Sequence, residues 1–289
     1  MKKIFLLALA AALFVSCSDN DDSTPAENQM TLKKTEKFSP SLSAYTSGQE
    51  GSLKHVQYYQ DNHIVADSTF NAQGNLYGLV GHTYTANTYT RHYTGLDQVE
   101  RATQYTFDDE GRLTHERDIL NYPDATNLPP SFVYNTNGSI SMYYVEPDTG
   151  NSSLARTFYT NDDGYITGII YSSDMSQTFL YDGLKVVQSN VTYGIDNINT
   201  TNYTYYNTPV PANMQRSAIE INNSFFMYES NPTDMTNDLA YYSNAYIKTY
   251  EGYLTFDSTF NEQNYITYSK ITGNMYQLTH DSETLYYYN

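Results

Sequence analysis

The chain has 289 residues, with 15 Lys and Arg against 32 Asp and Glu, a formal net charge of −17. That excess of negative charge is repelled by phosphate backbones and excludes nucleic acid as a partner. One cysteine excludes an internal disulfide, and 32 Tyr beside no Trp is an anomaly the fold must explain.

The chain opens MKKIFLLALAAALFVSCSDNDD. Lys2 and Lys3 precede an apolar run from Ile4 to Val15, too short for a mature transmembrane helix of about 20 residues. It reads as a cleaved secretory signal, residues 1–16. Phe14-Val15-Ser16-Cys17 resembles the lipobox of bacterial lipoproteins, with Leu13 one place earlier than usual. The resemblance implies that Cys17 is acylated and anchors the chain to outer-membrane lipid. Stable anchoring takes two or more acyl chains, at about 0.8 kcal/mol per buried methylene. Ser18, Asp19, Asn20, Asp21 and Asp22 resemble the acidic export signal of surface lipoproteins of the Bacteroidota, which implies display on the cell exterior. A plain solvated acidic linker has the same composition. Removing residues 1–16 takes two lysines and no acids, which moves the charge from −17 to −19.

Residues 17–37 form an acylated cysteine and flexible acidic tether, and 38–289 a single domain. From residue 38 onward, Tyr and Phe alternate with Thr, Ser, Val and Ile, as pleated, half-buried strands require. At most a short helix is expected, near 233–242, where Thr236, Asn237 and Asp238 can cap a turn. DSTFNAQGNLYG at 67–78 returns as DSTFNEQNYITY at 257–268. The shared word is an aromatic, then Gly or Asn four residues on, then an aliphatic two further. It recurs around Gly74, Gly111, Gly138 and Asn264, one residue longer at Gly164 and shortened at Gly183. Such a word makes a hairpin: Asn or Asp starts the turn, and Gly or Asn takes the left-handed position. The aromatic and the aliphatic (Phe70 with Leu76, Phe260 with Ile266) are expected to be buried on one sheet face.

YTFDDEGRLTHERD, residues 105–118, resembles the YD repeat of Rhs-type bacterial surface proteins. Lipobox, length and degenerate repeat together resemble a family of uncharacterised Bacteroidota lipoproteins with a porin-like fold. The resemblance implies an all-β protein, an antiparallel meander of hairpins rolled into a large barrel-like or superroll sheet, and no activity. Strands with Ser, Thr, Asn and Lys on both parities, as in YSKITGNMYQLT at 268–279, argue for a soluble β-structure rather than a membrane barrel.

No catalytic residue or cofactor emerges. His55, His63, His82, His92, His115 and His280 show no zinc spacing and read as surface strand and turn residues. There is no Gly-x-Ser-x-Gly elbow and no phosphate loop. DDEG, NTNG and NDDG lack the alternating acids of a calcium loop. Tyr143-Tyr144, Tyr205-Tyr206 and Tyr286-Tyr287-Tyr288 are candidates for lining a groove, against the plainer reading of cross-strand ladders. The expected function is a non-enzymatic surface lipoprotein that binds an extracellular glycan, peptide or protein. The alternatives are an accessory subunit of an outer-membrane uptake or adhesion complex and, third, a glycan hydrolase with two facing carboxylates. Cys17→Ala should leave the protein soluble in the periplasm. Mass spectrometry of the mature wild type should find Cys17 acylated; a free thiol there contradicts the anchor.

Overall fold

The computed structural model describes residues 29–61, 63–95, 100–120, 130–145, 149–194, 197–229, 244–251, 253–275 and 278–289. They contain eighteen strands: β1 (Leu32–Ser39), β2 (Leu53–Gln60), β3 (His63–Asn71), β4 (Leu76–Tyr84), β5 (Thr88–Gly95), β6 (Glu100–Phe107), β7 (Leu113–Asp118), β8 (Pro130–Tyr134), β9 (Ser139–Val145), β10 (Ser152–Thr160), β11 (Ile166–Ser172), β12 (Met175–Asp182), β13 (Lys185–Tyr193), β14 (Asn197–Tyr205), β15 (Ile247–Tyr250), β16 (Leu254–Phe260), β17 (Ile266–Met275) and β18 (Leu278–Tyr288). Two helices, α1 (Leu42–Thr46) and α2 (Ala218–Glu229), interrupt them.

Each strand pairs antiparallel with its sequence neighbour, and β1 pairs with both β2 and β18. The rolled sheet therefore closes into an up-and-down barrel without a free edge. β1 begins at Leu32, so the last residues of the expected tether are instead the strand that closes the ring. Cys17, Ser18 to Asp22 and the expected helix at 233–242 lie outside the described residues. The longer helix among the described residues is α2, just upstream of that segment. Ser217 and Glu220 form its capping box: the Ser217 hydroxyl accepts from Glu220 N–H at 3.2 Å, and the Glu220 carboxylate accepts from Ser217 N–H at 2.7 Å.

Side chains from every strand between β6 and β16 share one buried cluster with Ile221, Phe225 and Phe226 of α2. Strands spanning that much of a ring can meet one twelve-residue helix only on their concave face. The cluster therefore marks the inner wall. Phe226 stacks on Phe132 at 4.7 Å and meets Phe158 at 4.9 Å. The outer wall carries ion pairs and hydroxyl pairs alongside exposed Leu79, Val133, Ile170, Leu180 and Ile198. Lys34 and Lys54 pair with Glu36 at 3.1 and 2.8 Å, Lys270 pairs with Glu283 at 3.6 Å, and Thr204 bonds Thr249 at 2.6 Å. A barrel facing lipid needs a continuous apolar outer band, and these charged pairs interrupt one.

In a closed meander, all even-to-odd connections lie at one mouth and all odd-to-even ones at the other. The turns at Gly111, Gly138, Gly164, Gly183 and Asn264 share a mouth with the connection that carries α2. Gly74 alone among the six words turns at the opposite mouth. Their local geometry is common. Gly74 has φ +79° and Asn264 φ +67°, as the hairpin requires. The carboxamide or carboxylate oxygen of Asn71, Asp108, Asn161 and Asn261 accepts from the backbone N–H four residues on, at 2.8–2.9 Å.

Chain direction around the ring is fixed, so moving one hairpin to the other mouth is a half-turn about a tangent to the barrel wall and exchanges its faces. At the α2 mouth the word's aliphatic points inward and is buried: Leu113 is 0% exposed, and Ile140, Ile166, Val186 and Ile266 are buried too. At the opposite mouth Leu76 is 46% exposed and Phe70 half-buried. The expectation of burial thus holds for Ile266 and fails for Leu76.

The same words explain much of the tyrosine content. A β-bulge follows several of these turns and takes a carbonyl out of the ladder. A tyrosine from the next strand but inner face covers the gap with its ring and donates its hydroxyl. Tyr134 donates to Leu113 C=O at 3.0 Å, Tyr181 to Ile166 C=O at 2.7 Å and Tyr205 to Val186 C=O at 2.6 Å. Phe would leave the carbonyl unpaired.

Leu113→Ala should cost about 2–5 kcal/mol in chemical denaturation, and Leu76→Ala under about 0.5 kcal/mol. Equal losses would contradict the exchange of faces. Gly74→Val should cost roughly 1–2 kcal/mol from the left-handed backbone alone.

Candidate functional site

The inner wall away from α2 is polar, and its densest group lies on β2 to β5. Facing residues follow from register: His55 opposite Thr69, Gln57 opposite Asp67, Asp67 opposite Val80, and His82 opposite Arg91. Asp67 belongs to the word that turns at Gly74, so the face exchange that exposes Leu76 carries Asp67 inward. Its counterpart Asp257 pairs with Lys270 on the outer wall and is exposed.

Asp67 is 8% exposed and receives two histidines on one carboxylate oxygen. His55 Nε2 stands 3.4 Å from Oδ2 and His82 Nε2 stands 3.9 Å from it. His55 is 35% exposed, His82 3%. The other ring nitrogens are held by hydroxyls: His55 Nδ1 and Thr69 Oγ1 are 3.0 Å apart, His82 Nδ1 and Tyr89 Oη 2.8 Å. Tyr89 stacks between Tyr84 and Tyr105, at 4.8 and 5.5 Å, in a ladder that continues the wall toward α2. Burial raises the Tyr89 hydroxyl above its ordinary range, so it stays protonated. Gln57 accepts from Tyr59 at 2.9 Å. Burial lowers the pKa of His82 below its ordinary 6.5; the Asp67 charge opposes that shift and Arg91 adds to it.

A second polar group lies across the lumen. Arg156, buried, sits over the Tyr171 ring at 5.0 Å, and the Tyr171 hydroxyl donates to Gln177 at 2.9 Å. A hollow of about 300 Å³ at the opposite mouth is lined by Ile170, Asp174, Met175 and Thr192 among others. It gathers one acid and no histidine.

The histidines therefore part company. His115 is exposed on its strand, as the sequence suggests, but His55 and His82 face the lumen and correct the surface reading. The tyrosine runs do not converge on a groove. Tyr286 faces inward opposite Thr35, whereas Tyr287 faces outward and donates to Glu36 at 2.9 Å. The six turn residues hold backbone and touch no site. No sequence spacing announces His55, Asp67 and His82 together, because hairpin register unites them; the doubled DSTF is the one visible signal.

α2 is fastened to the turns below it. Asn223 donates to Gly111 C=O and accepts from Leu113 N–H, both at 2.8 Å, and Asn222 donates to Gly164 C=O at 2.8 Å. No protein-family profile and no curated protein sequence matches the chain significantly. Among solved structures it is similar to a porin-like protein from Bacteroides uniformis, with 13% identity, TM-score 0.42, and 90% of this chain and 99% of that chain covered. A porin-like protein from Bacteroides vulgatus gives 14% identity, TM-score 0.38 and the same coverage.

Because burial lowers the His82 pKa, the unfolded chain takes up a proton near pH 6.5 that the folded chain refuses. The contribution is intact above pH 6.5 and is lost as pH falls through the lower folded value. In chemical denaturation, wild type should lose more stability between pH 7 and 5 than His82→Gln does. Parallel curves would contradict a buried neutral His82.

Proposed function

We propose that this chain is a surface-exposed lipoprotein of the outer membrane, held by acylated Cys17, whose barrel binds an extracellular glycan, peptide or protein without catalysing a reaction. The observation that carries this reading is the polar stretch of inner wall on β2 to β5, away from the apolar cluster around α2. Its exterior carries a Thr pair and ion pairs, while this part of its inner wall carries tyrosine, arginine and histidine. Eighteen strands leave room for a wide lumen. A barrel with ion pairs on its exterior is served by a separate anchor.

Chain direction supports the orientation. β1 starts at the α2 mouth, where Met30 N–H donates to the Tyr265 hydroxyl at 3.1 Å. A tether from Cys17 to that point would hold the α2 mouth toward the membrane and turn the other mouth outward. Replacing Asp19, Asp21 and Asp22 with Ala should keep the lipid and abolish digestion by protease added to intact cells. Wild type hidden from that protease would overturn display but leave the anchor standing. On glycan and peptide arrays, Tyr171→Ala on the inner wall should lose binding that Tyr58→Ala on the outer wall retains; equal loss argues against the lumen.

A further inference from the structure

We propose that Tyr93, Arg91 and Arg101 form a subsite on the inner wall for a sugar residue that carries one carboxylate, as a uronic acid does. The inference rests on the reading of the barrel as a binding module and names one chemical class for its ligand. Register places the three side chains on one face. Tyr93 stands opposite Arg101 on one side and opposite Val80 on the other, and Val80 in turn faces Asp67. Arg91, two residues before Tyr93 on β5, shares that face opposite His82. Directly opposed side chains start about 5 Å apart, and side chains two residues along a strand about 7 Å apart. The tyrosine ring therefore has one guanidinium beside it on β6 and another along β5. All three residues face the lumen and are nonetheless exposed, so the wall is open there.

A glycine makes the ring a platform. Gly78 and Gly95 stand opposite each other beside it, and a methyl group on Gly78 would lie 3.3 Å from Tyr93 Cε2. The ring leans along this bare wall instead of projecting into the lumen, and 37% of Tyr93 stays exposed. The negative face of an aromatic ring attracts the C–H groups on the apolar face of a pyranose. A guanidinium fork matches a carboxylate in geometry and charge. The acids of the same wall are set back. Asp67 is 8% exposed beneath His55 and His82, and Glu116 and Asp118 are half-buried on β7, closer to α2 than Tyr93 is. A peptide fits less well, because extended peptides dock by adding to a sheet edge and the closed ring offers none. The net charge of −17 disfavours a polyanion, so the match is to a single carboxylate among neutral sugars.

The test uses the full-length protein in detergent, titrated by calorimetry with two probes: a glucuronate-terminated oligosaccharide and the same oligosaccharide ending in glucose. Wild type should bind the acidic probe at least about 10-fold more tightly, and added salt should narrow the difference. Arg91→Gln and Arg101→Gln should each weaken the acidic probe about 10-fold and leave the neutral one unchanged. Tyr93→Leu should weaken both probes alike, and Tyr93→Phe neither. Arg117→Gln, exposed on the outer wall, should bind as wild type does. If Tyr93→Leu fails to fold, the two arginine variants decide, since their side chains are exposed. Equal wild-type affinity for the two probes overturns the proposal, and so does an acidic probe held undiminished by both folded arginine variants. A wild type that binds neither probe but holds a peptide or another glycan on the arrays overturns the subsite and leaves the binding module standing. One that binds nothing on the arrays overturns both.

Discussion

Everything else in this molecule depends on β1 pairing on both of its edges. One short strand joins β2 to β18 and removes the two open edges that an eighteen-stranded sheet would otherwise present to other chains. Closure also fixes parity. An even number of alternating strands gives two mouths with separate sets of turns, and the chain starts and finishes at the same one. There Met30 bonds Tyr265 and the Asn289 N–H donates to Thr31 C=O at 3.1 Å, so both ends of the described chain are tied to the rim that α2 occupies.

The hairpins were legible because their physics is local. An aromatic, an Asn or Asp, and a Gly at fixed spacing determine a turn whatever surrounds it, and positive φ at Gly74 and Asn264 follows from that alone. Which wall each hairpin's side chains reach was not legible. That depends on how many strands precede the turn, and one strand more or fewer exchanges inside for outside. Leu76 and Leu113 occupy equivalent places in the word and differ in fate for this reason. The helix was missed for a related cause. Its Ser217–Glu220 capping box is visible in sequence, but the following Asn222-Asn223-Ser224-Phe225-Phe226 favours turns and strands in isolation. Only the cluster of Phe132, Phe158 and their neighbours makes it a helix, through packing that outweighs propensity.

The absence of tryptophan and the abundance of tyrosine belong to the same construction. Bulges beside the turns twist the strands and leave carbonyls outside the ladder. A residue that fills the inner wall and also donates one hydrogen bond at its tip answers both needs, and Tyr134, Tyr181 and Tyr205 do so at the hairpins of Gly111, Gly164 and Gly183. An indole carries its donor on the flank of the ring and would miss. Tyrosine counts in such a barrel therefore speak first of turn chemistry, and a ligand-stacking role has to be argued residue by residue.

The doubled DSTF shows how a structural repeat can generate a chemical difference. Asp257 stands exposed on the outer wall opposite Lys270, where water screens its charge. Asp67, with the same neighbours in sequence, is turned into the barrel by the face exchange, where a lone carboxylate would be costly. Its compensation comes from β2 and β4 through register, as His55 and His82. The fold needs the hairpin at Gly74, but it has no use for an acid on the inner wall at that place. A buried carboxylate met by two imidazoles is thus the feature that closure and turn chemistry leave unexplained, and it is where a task beyond holding the barrel together has to be sought.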